Sequence, residues 1–188
     1  MRMADRKNQQ KVQTRSRRIE VKKSGVHGRG VYAARPLKAG ETVLEYKGEI
    51  ITWKKAQKRH PHDPDQPHHT FFFHLDDGHV IDATHSAAPA KWINHSCAPN
   101  LEARQTGNQV FLTALRDISP GEELFYDYSL MIEGRITARD KREHACLCGS
   151  PDCRGTMLDI PQKKQPARAA FPKPGKVVSQ VKSFSGPE

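Results

Sequence analysis

Residues 146–153 read CLCGSPDC, which places three thiols within eight positions, and the only other cysteine of the chain is Cys97, in the segment INHSCAPN. Thiolates are soft ligands, and a C-x-C-x4-C run lets neighbouring sulfurs reach one ion, while a closed zinc site takes four donors in a tetrahedron. A disulfide between Cys146 and Cys148 would close a strained small ring. The run therefore reads as a metal site short of one ligand. Cys97 supplies it if NHSC folds against the C-terminal segment, the imidazole of His95 is a rival fourth ligand, and spacing leaves the choice open.

A second group of residues suits the handling of an amine. In EELFYDYSL, strand geometry puts Tyr126 and Tyr128 on one face, with Phe125 and Asp127 opposite. Such phenols can be core aromatics with their hydroxyls at the rim, or can line a narrow slot that orients an amine; Tyr46, in LEYKGEII, is a third of the same kind. HGRGVYAA carries Gly28 and Gly30, which read as a turn between strands and would also let the backbone approach a ligand closely. Asn94-His95-Ser96 formally matches a glycosylation acceptor, but no secretory signal accompanies it, and Asn94 and His95 taken singly fit polar positions in a turn.

Composition bounds the setting of these groups. The chain has 188 residues and a formal charge of +10, but residues 1–23 hold +7 of it and residues 162–188 hold +5, leaving −2 on the middle. The basicity therefore belongs to arms rather than to a nucleic-acid-binding fold. The arms are predicted to be disordered, because they carry too few large apolar groups to offset ordering entropy, and they read as solvated, solubilising tails, with weak contact to nucleic acid or acidic partners as the alternative. No apolar run of signal-peptide or membrane-span length is present. An intracellular, reducing setting is expected, where cysteines hold metal more often than they pair.

Short β-branched runs punctuated by glycine predict strands over IEVKKS, GVYAARPL and GETVLEYKGEII. Thr52 caps a short helix over WKKAQKR, and the proline-rich HPHDPDQPHH that follows reads as a surface loop. TFFFHLDDGHVIDAT reads as a hairpin turning at Asp76, Asp77 and Gly78, SAAPAKWINHSCAPN as an irregular, partly helical connection, and NQVFLTALRDISPGEELFYDYSL as two strands about SPGEE. RITARDKREHA is a polar helix leading into the cysteines. The sum is a mainly β domain of small sheets with short helices.

HGRGVYAARPLKAGETVLEYKGE, INHSCAPN, SPGEELFYDY and CLCGSPDCRGTM, in this order, resemble the motifs of the SET-domain protein lysine methyltransferases, over residues 19–160. The resemblance implies a fold of small curved sheets with a pseudoknot (the β-clip form), with the segments at 94–97 and 123–128 side by side. It divides the chain into a tail at 1–18, a SET domain at 19–133, a zinc-binding (post-SET) extension at 134–160 and a tail at 161–188. It implies a structural zinc ion on Cys97, Cys146, Cys148 and Cys153. It further implies S-adenosylmethionine as methyl donor, held by His27, Gly28, Arg29, Gly30, Asn94, His95 and partly Tyr128.

On the same resemblance, a target lysine enters from the opposite face through a channel of Tyr46, Tyr126 and Tyr128, with Tyr128 orienting the neutral amine. Tyr126 stands at the family's phenylalanine/tyrosine switch, which implies mono- or dimethylation. The expected partner is a histone or another DNA-associated basic protein, in the nucleus of a eukaryote or in the cytoplasm of a bacterium, whose short members have a similar architecture. Two departures stand out: Ala88 and Pro89 replace a Gly-Asn pair, and Lys91 replaces an arginine. A catalytically silent SET scaffold and a basic zinc-containing nucleic-acid module are the alternative readings.

Overall fold

A computed structural model of the protein describes residues 17–59, 71–132 and 134–160, together with the backbone of Ser179–Gln180. The expectations for residues 1–16, for the His- and Pro-rich loop at 60–70 and for the remainder of the C-terminal arm lie outside the described residues.

The chain opens with a hairpin of β1 (Ile19–Lys23) and β2 (Arg29–Ala33), in register from Ile19↔Ala33 to Lys23↔Arg29. β3 (Thr42–Glu45) and β4 (Glu49–Thr52) follow, then α1 (Trp53–Arg59), β5 (Phe72–His74) and β6 (His79–Asp82). A 3-10 turn (Pro89–Trp92) leads to β7 (Asn94–His95), β8 (Leu101–Thr106) and β9 (Gln109–Ala114). The last elements are β10 (Phe125–Tyr126), β11 (Leu130–Met131), α2 (Ala138–Glu143) and β12 (Ser179–Gln180). Two three-stranded antiparallel sheets, β3-β9-β8 and β4-β6-β5, flank the first hairpin and two short parallel pairs, β7 with β10 and β11 with β12. Among the described residues no helix is long and apolar enough to cross a membrane.

Local signals account for most of this. Thr52 caps α1 by accepting from the Lys55 N–H at 3.3 Å. Gly78 turns the β5–β6 hairpin at φ +83°, in the left-handed region that favours glycine. The run GETVLEYKGEII, expected as one strand, is broken into β3 and β4, which belong to different sheets. The break falls at Gly48, where a Cβ would overlap the backbone carbonyl of Asp82, so the crossing of these two segments admits glycine alone. β8 was not anticipated; its residues LEARQT pair with the whole of β9 and present only Leu101 fully to the core.

The two strands predicted around SPGEE also differ from an ordinary hairpin. β9 pairs with β8 and β3, whereas β10 is two residues long and lies parallel to β7, with Phe125 opposite Asn94 and Tyr126 opposite His95. The buried Asn100 side chain stands in for the missing ladder: its amide donates to the Glu123 carbonyl and its oxygen accepts from the Phe125 N–H, both at 2.8 Å. Val31, Leu37, Leu101, Leu112, Ile118 and Leu124 close the core beneath these crossings. Each fully buried aliphatic side chain contributes roughly 1.5–3 kcal/mol, so a core spread over small sheets still fixes their relative placement.

Candidate active site and metal centre

The capping box of α2, in which Thr137 accepts from the Asp140 N–H at 3.2 Å and Asp140 accepts from the Thr137 N–H at 2.7 Å, starts a helix that ends on the fully buried His144. The His144 carbonyl accepts from the Met157 N–H at 2.8 Å and the Thr156 hydroxyl at 3.0 Å, which closes the cysteine segment into a loop. Within that loop Cys146, Cys148 and Cys153 turn toward Cys97, and the four sulfurs lie within 4.8 Å of one another. Cys97 Sγ stands 3.7 Å from Cys146 Sγ and 3.9 Å from Cys153 Sγ. A tetrahedron with metal–sulfur bonds of about 2.3 Å has edges of about 3.8 Å, so the quartet has the dimensions of a Zn²⁺ site.

The donor chemistry agrees. Backbone N–H groups of Cys148, Arg154 and Gly155 each point at a cysteine sulfur at 3.4 Å, which favours thiolate over thiol. Burial pushes the thiols of Cys97 and Cys146 up, while at Cys148 burial is outweighed by backbone N–H donors and the thiol is held below its usual range. Sulfurs this close can all ionise only with a cation among them. His95, the rival fourth ligand, lies outside the quartet: its Nε2 is 3.4 Å from Cys97 Sγ and its Nδ1 accepts from the Tyr128 N–H at 3.1 Å. That second bond settles the tautomer, so Nε2 carries the proton and donates to the sulfur.

His95 thus ties the cysteine cluster to the tyrosines. Its ring packs edge-on to Tyr128 with centroids 5.3 Å apart, and burial holds its pKa down to about 4, so it is neutral at physiological pH. The Tyr128 hydroxyl donates to the Ile93 carbonyl at 2.8 Å, and its ring lies 4.8 Å from that of Tyr126. Tyr46 meets Phe73 at 5.3 Å, and Phe73 meets Tyr126 at 6.4 Å. Tyr46 and Tyr126 are buried, and burial raises all three phenols far above the ordinary value of 10, so none is a phenolate. The result is a wall of neutral hydroxyls and apolar rings.

A third feature joins the first hairpin to this wall. The Asn94 amide donates to the His27 carbonyl at 3.1 Å, the Arg29 carbonyl at 2.9 Å and the Glu123 carboxylate at 3.1 Å. Glu123 also accepts from the Tyr32 hydroxyl at 2.8 Å. Gly28, at φ +51° with open space around it, makes the turn, and at Gly30 an added Cβ would overlap the Glu123 carboxylate. The close approach read from the two glycines is therefore made, at Gly30, to the protein's own side chain. Gly30→Ala is expected to displace Glu123 and cost about 1–3 kcal/mol, the worth of hydrogen bonds to a charged group. Thermal unfolding of the variant measures it, and an unchanged melting temperature would show that Glu123 does not hold the loop.

The family model described as the SET domain matches residues 28–129, more than half of the chain. The chain belongs to the SET-domain family. The chain is 35% identical over 167 residues to a histone H3-lysine(4) N-trimethyltransferase of Arabidopsis thaliana, covering 86% of this chain and 15% of that protein. It is 36% identical over 148 residues to an H3 lysine-4 specific histone-lysine N-methyltransferase of Mycosarcoma maydis, covering 76% of this chain and 10% of that protein. Over 143 residues it is 36% identical to the human histone-lysine N-methyltransferase 2D, covering 74% of this chain and 2% of the relative. The chain thus spans a small fraction of the length of these relatives.

The fold brings all the anticipated residues into two adjoining groups, the backbone of 27–30 with Asn94, and the three tyrosines with His95 between them and the cysteines. The site also contains residues that sequence reasoning passed over. Arg154 forms a two-pronged ion pair with Asp127 at 2.5 and 2.7 Å, fastening the cysteine loop beside Tyr128. Burial works to raise the Asp127 carboxyl, and Arg154 overrides it and holds it below the usual carboxylate range. Asp127 also accepts from the N–H of Ser129, the one non-glycine described with a left-handed φ, +44°, where the chain bends from Tyr128 into β11. An arginine directly after the last cysteine and an acid between two tyrosines were the available signals. Lys91, in place of the arginine the resemblance led us to expect, donates to the Thr84 carbonyl at 2.9 Å and lies over the rings of Phe71 and Trp92. Arg29 covers the Trp92 ring at 5.0 Å.

Proposed function

We propose that the protein is a protein-lysine N-methyltransferase that uses S-adenosylmethionine and acts on a lysine of a basic protein, a histone by analogy with the substrates its relatives are named for. The observation that carries the proposal is the placement of Tyr128, fixed at its hydroxyl by Ile93, at its N–H by His95 and at its ring by Tyr126. S-adenosylmethionine, when bound, supplies an electrophilic methyl group on its sulfonium. The residues that would hold it are the outward-facing turn at His27, Gly28, Arg29 and Gly30, which has open space around Gly28, together with Asn94, His95 and Tyr128.

The chemistry required of the chain is to present a neutral amine. A lysine ammonium with a pKa of about 10.4 has no lone pair, and a desolvating slot disfavours its charge. Tyr46, Tyr126 and Tyr128 supply such a slot, and because they stay neutral they offer the ammonium no counter-charge to keep its proton. The Tyr128 O–H is committed to the Ile93 carbonyl, so its oxygen faces a substrate as an acceptor of an amine N–H, which leaves the nitrogen lone pair free to attack. The N–C bond forms as the S–C bond breaks, and the proton leaves to water. Fixing this line of approach is worth several kcal/mol of barrier. Cys97, Cys146, Cys148 and Cys153 would hold a structural Zn²⁺, which would fasten residues 134–160 against the site.

The test is transfer of labelled methyl groups to a panel of histones and other basic proteins. Label on lysine supports the proposal, and none on any member while the donor still binds refutes it. Tyr126→Phe removes a hydroxyl from the slot and is expected to shift products toward higher methylation, by about one methyl group at exhaustive turnover. Mass spectrometry of the product peptide reads this, and an unchanged mono:di:tri ratio denies Tyr126 the role.

A further inference from the structure

β10 ends at Tyr126 and β11 begins at Leu130, so Tyr128 stands outside both strands and other bonds must aim it. Two routes reach it from the cysteine cluster. On one, His95 Nε2 stands 3.4 Å from Cys97 Sγ, and His95 Nδ1 accepts from the Tyr128 N–H at 3.1 Å. On the other, the Arg154 guanidinium holds the Asp127 carboxylate at 2.5 and 2.7 Å, and Oδ1 of that carboxylate accepts from the Ser129 N–H at 3.0 Å. The routes meet at Arg154, whose backbone N–H points at Cys97 Sγ at 3.4 Å. The Arg154 side chain is 8% exposed, and a two-pronged pair shielded in this way fixes direction as well as distance.

We infer, resting on the methyltransferase reading above, that Arg154 and Asp127 are positioning residues for methyl transfer: the pair sets the direction of Tyr128, and with it the line along which the amine meets the methyl group. Asp127 and Ser129 flank Tyr128 in the chain, and the Asp127 carboxylate fixes both, one through Arg154 and the other through its N–H. An acidic side chain bonded to the N–H two residues on closes a local turn. Here it holds Ser129 at φ +44°, a backbone conformation that a residue with a Cβ disfavours, so the bend needs the carboxylate in place. Misplacing a reacting group by about 1 Å costs about 100-fold in rate. The loss falls on transfer rather than on donor binding, because the turn at 27–30 is fastened separately, by Asn94 to the carbonyls of His27 and Arg29.

The full chain is assayed on histone H3 with labelled S-adenosylmethionine, alongside zinc content, donor affinity and thermal unfolding. Asp127→Asn keeps an oxygen for the Ser129 N–H and loses the charge that Arg154 holds. Its kcat is expected to fall by about 10- to 100-fold, with donor affinity and the KM for H3 within about twofold of the wild type and one equivalent of zinc retained. A buried cation without its partner also destabilises, so a second variant, Asp127→Asn with Arg154→Met, removes both charges at unchanged net charge and is expected to melt close to the wild type while keeping the low kcat. A merely structural pair predicts the reverse, kcat returning with the melting temperature. That recovery, or a kcat in Asp127→Asn within about threefold of the wild type, overturns the inference. If the single variant fails to fold the double variant decides alone, and if both fail Arg154→Lys decides, which keeps the charge, loses the fork and is expected to lower kcat several-fold at unchanged KM. If the wild type itself transfers no methyl group to H3 although the donor binds, the methyltransferase reading fails and takes this one with it.

Discussion

Tyr128→Phe is expected to reduce the methyl-transfer rate by about 100- to 1000-fold, the range seen when one preorganised polar contact to a reacting centre is removed. The substitution is informative because little else changes. The phenylalanine ring keeps its packing against Tyr126 and His95, and the backbone N–H keeps its bond to His95 Nδ1. What is lost is the hydroxyl, and with it the donor to the Ile93 carbonyl, at a stability cost of about 1–2 kcal/mol for a carbonyl left without its partner. Single-turnover transfer measures the first effect, thermal unfolding the second, and calorimetry of donor binding separates them. A fall of less than threefold in transfer, with donor affinity unchanged, would remove Tyr128 from the mechanism.

Cys97→Ser is expected to abolish stoichiometric zinc and to collapse the link between the cysteine loop and the tyrosines. Cys97 is the one ligand on the body of the domain, since the other three lie within the loop at 146–153. Its sulfur receives the Arg154 N–H and the His95 Nε2–H, so its loss also loosens the group that holds the Tyr128 backbone. Structural zinc sites bind with apparent energies of about 10–16 kcal/mol, and forfeiting even about 3–5 kcal/mol of that lowers the melting temperature of a domain this size by about 10 °C. Metal analysis and thermal unfolding read both. Chelation of the wild type should reproduce the shift and added zinc should reverse it, whereas the variant should not respond to zinc. A variant that keeps one equivalent of metal and melts with the wild type would show that the sulfurs cluster for another reason.

Much of the site was legible because its chemistry is concentrated in short, unusual runs. CLCGSPDC points to a metal site through thiol density alone, and the alternation in FYDY places two phenols together, although the strand β10 holds only Phe125–Tyr126 and Tyr128 lies just beyond it. Thr52 and Gly78 announced the start of α1 and the turn of the β5–β6 hairpin, because caps and left-handed turns are local choices of the backbone. The division of GETVLEYKGEII between two sheets was not legible, since it depends on Asp82, more than thirty residues on, crossing at Gly48. Likewise β8, with its mixed LEARQT pattern, is a strand because β9 lies beside it for its whole length.

The sequence by itself determined the inventory: a thiol quartet, phenols in register, a glycine turn, and charge gathered in the arms around a nearly neutral middle. Only the tertiary structure decided between Cys97 and His95 as the fourth member of the quartet, put Asn94 on the carbonyls of His27 and Arg29, and set Arg154 on Asp127. The physical reason is range. Caps, turns and alternation are settled within a few residues, whereas each of those three choices joins chain segments more than twenty-five residues apart and is made by burial and by the need of buried polar groups for partners.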